Sequence, residues 1–220
     1  EGEVIGPESV FFAFPPESGQ ITTNELSKYA SFIATEPIAK RAAISINNTE
    51  RTNVRSLVWD AAEAVKQLLA ESRISIPGGV GLELSHHYGM ERFFEVGLTM
   101  ITVVNRDYCK KILVSLQNQM HPEQYHSQKE ETFHILFGEV DLTLNGETRT
   151  CRSGDVISIE PGVRHAFISK TGVVIEEISS THFKDDFFYP AYGIASGCRR
   201  YYFSLLEAYF LFSSIGLYEY

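Results

Sequence analysis

The sequence predicts a mainly β protein: an all-β barrel preceded by a small α+β front end. Three observations carry this. From Val80 onward the pattern has a period of two, with Leu82, Leu84 and His86 alternating against Glu83, Ser85 and His87, as in a strand with one buried face. Short Val/Ile/Phe-rich runs then recur between Gly, Pro and Asn turns, and Asn145-Gly146 is a two-residue hairpin signal. The one long helical period precedes them all, over residues 53–72.

The first 45 residues combine a Gly-Pro turn, a strand-like VFFAF and a Pro-Pro stop. Thr22 with Glu25 forms a capping-box pattern ahead of an expected short helix through Ile33. Residues 46–53 are polar and read as a linker, and Asn53 is the expected N-cap of the long helix. There Val54, Leu57, Val58, Ala61, Val65, Leu68 and Leu69 share a face opposite Asp60, Glu63 and Lys66, and Trp59 reads as packing. A short helix is expected over residues 90–95, then strands over 98–105, 108–117, 131–137, 139–144, 147–151, 155–160, 165–169 and 173–179. The organisation expected is therefore residues 1–45 as a front segment, 46–79 as linker and helix, 80–188 as the barrel and 189–220 as an aromatic tail.

Composition narrows the function classes. Of 220 residues, 44% are hydrophobic and 21% charged, which is ordinary for a globular chain. The net charge is −9 and Lys and Arg are dispersed, so no nucleic-acid footprint is expected. Cys109, Cys151 and Cys198 make neither a Cys-x-x-Cys pair nor an even disulfide set, which points to a reducing cytoplasm. The chain opens Glu1-Gly2-Glu3 with no signal-peptide pattern and no initiator Met, so a fragment is expected. The tail from Tyr201 to Tyr218 has one charge, Glu207, but its aromatics and Ser-Ser-Ile-Gly break argue against a membrane span. An aromatic flap or a homodimer-forming segment is expected there.

The stretch from His121 to His165 holds the chemistry. His126, Glu131 and His165 lie on or beside short strands that can converge inside a small barrel. Imidazole nitrogens with a carboxylate oxygen form a ligand set for Mn, Fe, Ni, Co or Zn, with positions left for water or substrate. Strand parity puts Glu131, Phe133 and Ile135 on one face, turning Glu130 and His134 away. A buried carboxylate is costly unless paired or bound to metal, so the bland reading is a hydrogen-bonded Glu131–His126 pair without metal. Lys110 and Lys111 lie on one expected strand, where alternation directs one inward towards an anionic or polyhydroxy ligand. Lys111 and Glu131 are the candidate proton carriers; Lys110, Phe133 and His182 are the candidate substrate contacts. His86 and His87 lack a nearby carboxylate and read as structural. No nucleophile context and no phosphate-binding Gly loop is present.

These two stretches, HPEQYHSQKEETFHILFGEV and GDVISIEPGVRHAFI, resemble the two motifs of the cupin superfamily. The first motif there is His-x-His, three or four residues, Glu, six residues and Gly; His126, Glu131 and Gly138 match, but Gln124 stands where the first histidine belongs. In the second, Gly154, Pro161, Gly162 and His165 match, the proline displaced by one. The resemblance implies a double-stranded β-helix, or jelly-roll barrel, with His126, Glu131 and His165 as metal ligands. It leaves the fourth ligand open among Gln124 by its amide oxygen, His121 if the strand bulges at Pro122, and water. GEVIGPESVFFAFP with IATEPIAKRAAIS is similar to the C-terminal half of the antifreeze-like (SAF) domain of sialic acid synthases, some of which carry a cupin after it. The later stretches LELSHHYGMERFFEVG, NRDYCKKILV and KEETFHILFGE are similar to that cupin, so the combined resemblance spans roughly residues 1–188. It lacks the synthase's catalytic barrel and the early SAF arginine, so condensation with phosphoenolpyruvate is not expected of this chain.

Three functions follow as expectations. The first is a metal-binding cupin that binds a sugar or sugar acid or isomerises it between aldose and ketose, the metal holding adjacent oxygens while Glu131 or Lys111 moves the proton. The second is a non-catalytic ligand-binding module of a synthase chain. The third is an Fe(II) dioxygenase.

Overall fold

The computed structural model describes residues 2–6, 9–181, 186–190 and 199–203, the last of these as backbone alone. It divides into two units, Glu1–Val58 and Trp59–Tyr220. In the first, β1 (Ala30–Ala34) pairs antiparallel with β2 (Thr49–Asn53), Ala30 opposite Asn53 and Ala34 opposite Thr49. The helix expected through Ile33 is a single 3-10 turn, Thr23–Glu25, although Glu25 does accept the Thr22 N–H at 2.8 Å. The reason is tertiary: β1 finds a ladder partner in the stretch read as a linker and buries Phe32 and Ala34, which outweighs a weak local signal. VFFAF forms no strand, and Phe11, Phe12 and Phe14 are exposed.

The long helix, α1 (Arg55–Ser72), begins where Asn53 Oδ1 accepts the Arg55 N–H at 3.0 Å. Its buried face is Val58, Ala61, Ala62, Val65, Leu68 and Leu69. Trp59 is 59% exposed rather than packed, because helical spacing sets it beside Asp60 on the solvent side.

Ten strands follow: β3 (Gly81–His86), β4 (Gly97–Asn105), β5 (Tyr108–Ser115), β6 (Met120–Gln124), β7 (Glu131–Leu144), β8 (Glu147–Arg152), β9 (Val156–Ile159), β10 (His165–Ile168), β11 (Val173–Ser180) and β12 (Arg199–Phe203). They form one curled antiparallel sheet in the order β12-β3-β4-β5-β11-β7-β10-β6, with β8 and β9 also on β7. The fold is a mainly β jelly roll, as expected, and β6, outside the expected strand ranges, is the strand on which the sequence allows a bulge at Pro122.

Strand β7 is the hub. The sequence breaks it at Gly138, yet it runs unbroken for 14 residues. Its first part pairs with β11 and β9; its last part pairs with β8 and β10. Gly138 sits between the two at φ +79°, and a Cβ there would collide with the Gly172 carbonyl, so only glycine lets the strand pass. Asn145 and Gly146, at φ +48° and +88°, turn β7 into β8. The core inside the curled sheet gathers Leu98, Leu113, Phe133, Ile135, Leu142, Phe167 and Ile175. Each such side chain contributes roughly 1.5–3 kcal/mol over leaving it exposed.

Candidate metal centre

Parity along β7 sets the centre. Glu131, Phe133 and Ile135 are buried in succession, while Thr132 and His134 are only half-buried. His165 opens β10, directly opposite Gln124 of β6. Between His165 and Phe167 the partner on β6 jumps from Gln124 to His121, so β6 carries an extra residue around Pro122. The bulge directs both His121 and Gln124 to the same cavity, which neither parity class alone would allow.

His126, Glu131 and His165 bring one ligand atom each within 4.8 Å of one another, all three residues buried. His126 Nε2 lies 3.4 Å from Glu131 Oε1, and His165 Nε2 lies 3.3 Å from Glu131 Oε2. The proton positions are fixed from behind. His126 Nδ1 contacts the Asp186 carbonyl, and His165 Nδ1 lies 3.1 Å from the Val163 carbonyl. Carbonyls only accept, so both Nδ1 atoms donate, and in the neutral rings both Nε2 lone pairs face the carboxylate. Among the described residues His126 Nε2 and Glu131 Oε2 have no hydrogen-bond partner although buried. Lone pairs aimed at lone pairs in a dry site are what a cation would satisfy. On this test the residues fit a transition metal.

The fit has a competitor that sequence reasoning missed. Lys129 is buried, with its ammonium 2.5 Å from Glu131 Oε1 and 2.8 Å from Glu177 Oε1. Ser179 donates to the same Glu177 oxygen at 3.1 Å. Burial opposes ionisation of Glu131, yet the Lys129 ammonium beside it holds its carboxyl far below the usual carboxylate range. Burial likewise opposes the charge on Glu177, and Lys129 and Lys111 bring its carboxyl down. Burial also works against the Lys129 charge, but Glu177 and Glu131 keep the ammonium above the ordinary lysine value. Lys129 precedes β7 and is delivered by a turn, so strand parity alone does not point to it. Glu177 was findable only through its cross-strand pairing with Lys111.

The other predicted residues divide. Lys111 is buried and lines the cavity with Phe133. Lys110 is not brought in: alternation turns it outward, where it pairs with Glu176 at 2.7 Å. His121 lines the wall, stacked on Phe167 at 4.9 Å between centroids and 5.3 Å from His87, and stands outside the three-ligand group. Burial, then the neighbouring His87, pushes its pKa well below the usual value. Gln124 donates its amide N–H to His165 Nε2 at 3.2 Å. Burial lowers the pKa of His165, against the pull of Glu131. His182 lies outside the described residues, as does Cys198; Cys109 and Cys151 are free and buried. Phe187 and Tyr189, from the segment after β11, complete the wall of a cavity of about 40 Å³.

The Cupin_2 family model, described as a cupin domain, matches residues 113–176, which hold Gln124, His126, Glu131 and His165. The chain contains a cupin domain. No curated protein sequence matches the chain. Among solved structures, the chain is similar to a variant L-ribose isomerase from Acinetobacter sp. DL28 in complex with L-ribose. That likeness has 11% identity and a TM-score of 0.53, and covers 65% of this chain and 94% of that one. It is also similar to Pac13, a nucleoside dehydratase (14% identity, 53% and 89% covered, TM-score 0.41), and to KdgF from Halomonas sp. (14%, 40% and 82%, 0.38). At 11% identity the likeness to the isomerase speaks for the fold alone. No helix among the described residues is long and apolar enough to cross a membrane.

Proposed function

We propose that this cupin domain holds a divalent transition metal through His126, Glu131 and His165 and binds a sugar or sugar acid beside it. The observation that carries the reading is the pair of buried, unpartnered atoms, His126 Nε2 and Glu131 Oε2, turned to one point with His165 Nε2. The fourth position is open to Gln124, once its amide turns its oxygen inward, to His121 or to water. A bound Mn, Fe, Ni, Co or Zn ion would act as a Lewis acid towards adjacent substrate oxygens. The chain's own groups would do the rest: Lys111 hydrogen-bonds a substrate oxygen, and Lys129 holds Glu131 ionised and in place.

As an enzyme, the chain is an aldose–ketose isomerase in which Lys111 or Glu131 carries the proton. The sugar direction is supported by the L-ribose isomerase among the structural likenesses. The front-end resemblance to sialic acid synthases extends the reading to sialic-acid-type sugar metabolism, in a cytoplasmic homodimer. The Fe(II) dioxygenase reading has no observation in its favour beyond the ligand types.

A second reading rests on Lys129. Its ammonium already serves both Glu131 and Glu177 as a counter-ion without a metal, which suits a metal-free binding module. Elemental analysis of protein purified without added metal, beside His126→Ala and His165→Ala, separates the two. Near-stoichiometric metal in the wild type, lost in both variants, is expected; no metal even after reconstitution would leave the binding module.

A further inference from the structure

The loop between His126 and Glu131 carries both ends of the ligand set, and one distant residue holds it. Asp186 lies beyond residue 176, where the cupin match ends. Its Oδ1 accepts the Ser127 N–H at 2.8 Å and the Ser127 hydroxyl at 2.6 Å. Its Oδ2 accepts the Gln128 N–H at 3.1 Å and the Lys129 N–H at 2.9 Å. Three successive backbone N–H groups thus converge on one carboxylate, an anion-binding nest whose anion comes from the chain itself. The Asp186 backbone carbonyl meanwhile accepts a hydrogen bond from His126 Nδ1. The segment is pinned beside it by two hydrogen bonds of 3.0 Å between Tyr125 and Phe188 and by the stacking of their rings.

We propose that Asp186 is the positioning residue of the metal centre. Its carbonyl fixes the tautomer and direction of His126, and its carboxylate fixes the turn that delivers Lys129 to Glu131. The inference rests on the metal reading above. It adds that the centre is incomplete without a residue outside the matched domain. Asp186 touches neither metal nor substrate and acts through His126 and Lys129. Ser180 offers a comparison on the same loop. It accepts the Glu130 N–H at 3.3 Å and donates its own N–H to the Glu130 carbonyl at 3.2 Å, with no hydrogen bond to His126.

The test is Co²⁺ titration of the full metal-free chain against a chelating dye, with the visible Co²⁺ spectrum recorded alongside. Asp186→Ala is expected to weaken Co²⁺ about 10–100-fold, the usual effect of losing an outer partner of a metal ligand, and to alter the spectrum. Asp186→Asn, which keeps one acceptor for Ser127, is expected to recover part of the affinity. Ser180→Ala is expected to leave affinity and spectrum close to wild type. Wild-type affinity in Asp186→Ala, or an equal loss in Ser180→Ala, would overturn the positioning role while leaving the metal reading intact. Absence of Co²⁺ binding by the wild type would overturn both.

Discussion

Strands β5 and β11 place two lysine–glutamate couples one residue apart, and the two faces of the sheet make opposite things of them. On the outer face Lys110 meets Glu176 at 2.7 Å, both partly in solvent. On the inner face Lys111 stands opposite Glu177, which shares its charge with Lys129 and through it with Glu131, all nearly dry. Attraction between opposite charges grows in a low dielectric, but so does the cost of desolvating each one. The outer pair is therefore a modest surface contact. In the inner set each buried charge leans on the others, so removing one leaves another uncompensated.

The sharpest way to break this comparison is Lys129→Met. Two buried carboxylates would lose their shared counter-ion, and a loss of about 3–5 kcal/mol in the metal-free protein is expected from urea unfolding. Added divalent metal should restore part of it, since it offers Glu131 a new cation. A midpoint unchanged from wild type would mean that the inner network is not as dry as its burial implies.

Acid should separate the faces next. An unfolded imidazole takes up its proton near pH 6.5, whereas burial keeps His121 and His165 neutral to lower pH. Between those values the unfolded chain binds more protons, so stability falls as pH falls. The metal-free protein should begin to lose stability below about pH 6.5. The outer carboxylate behaves differently. Lys110 holds the Glu176 carboxyl below its usual range against slight burial, so its contribution persists until pH drops below about 4.5. Unfolding midpoints in urea from pH 7 to 4 test this; a flat profile down to pH 5 would contradict the inner-face limb. The smallest effect belongs to Lys110→Ala, expected to cost no more than about 1 kcal/mol and to weaken further in high salt.

The same one-residue parity explains what the sequence disclosed. The inward row Glu131, Phe133, Ile135 could be read from alternation because β7 is long and regular. The hairpin at Asn145-Gly146 was legible from residues that tolerate positive φ. Lys129 was not legible because a Lys-Glu-Glu run looks solvated and it stands in the turn before β7, where strand parity does not reach. Between Lys110 and Lys111 the sequence had no means of choosing, because the register of β5 against β11 is set by tertiary pairing. Asp186 gave no local signal: its partners lie 57–60 residues away, and nothing in Thr181-His182-Phe183-Lys184-Asp185-Asp186 announces them. The β1–β2 ladder was hidden for a related reason, since Thr49–Asn53 has no apolar pattern and owes its strand to its neighbour.

Strand β7 carries a consequence for how the barrel opens. Because one strand serves both halves of the sheet, neither half can lose it alone. Peeling β8 and β10 from its last residues exposes the same chain that β9 and β11 need at its first. Amide protons along β7 on either side of Gly138 should therefore exchange with solvent in a single cooperative opening, ligand and hairpin ends together. The strand that presents Glu131 is thus protected by the stability of the whole barrel.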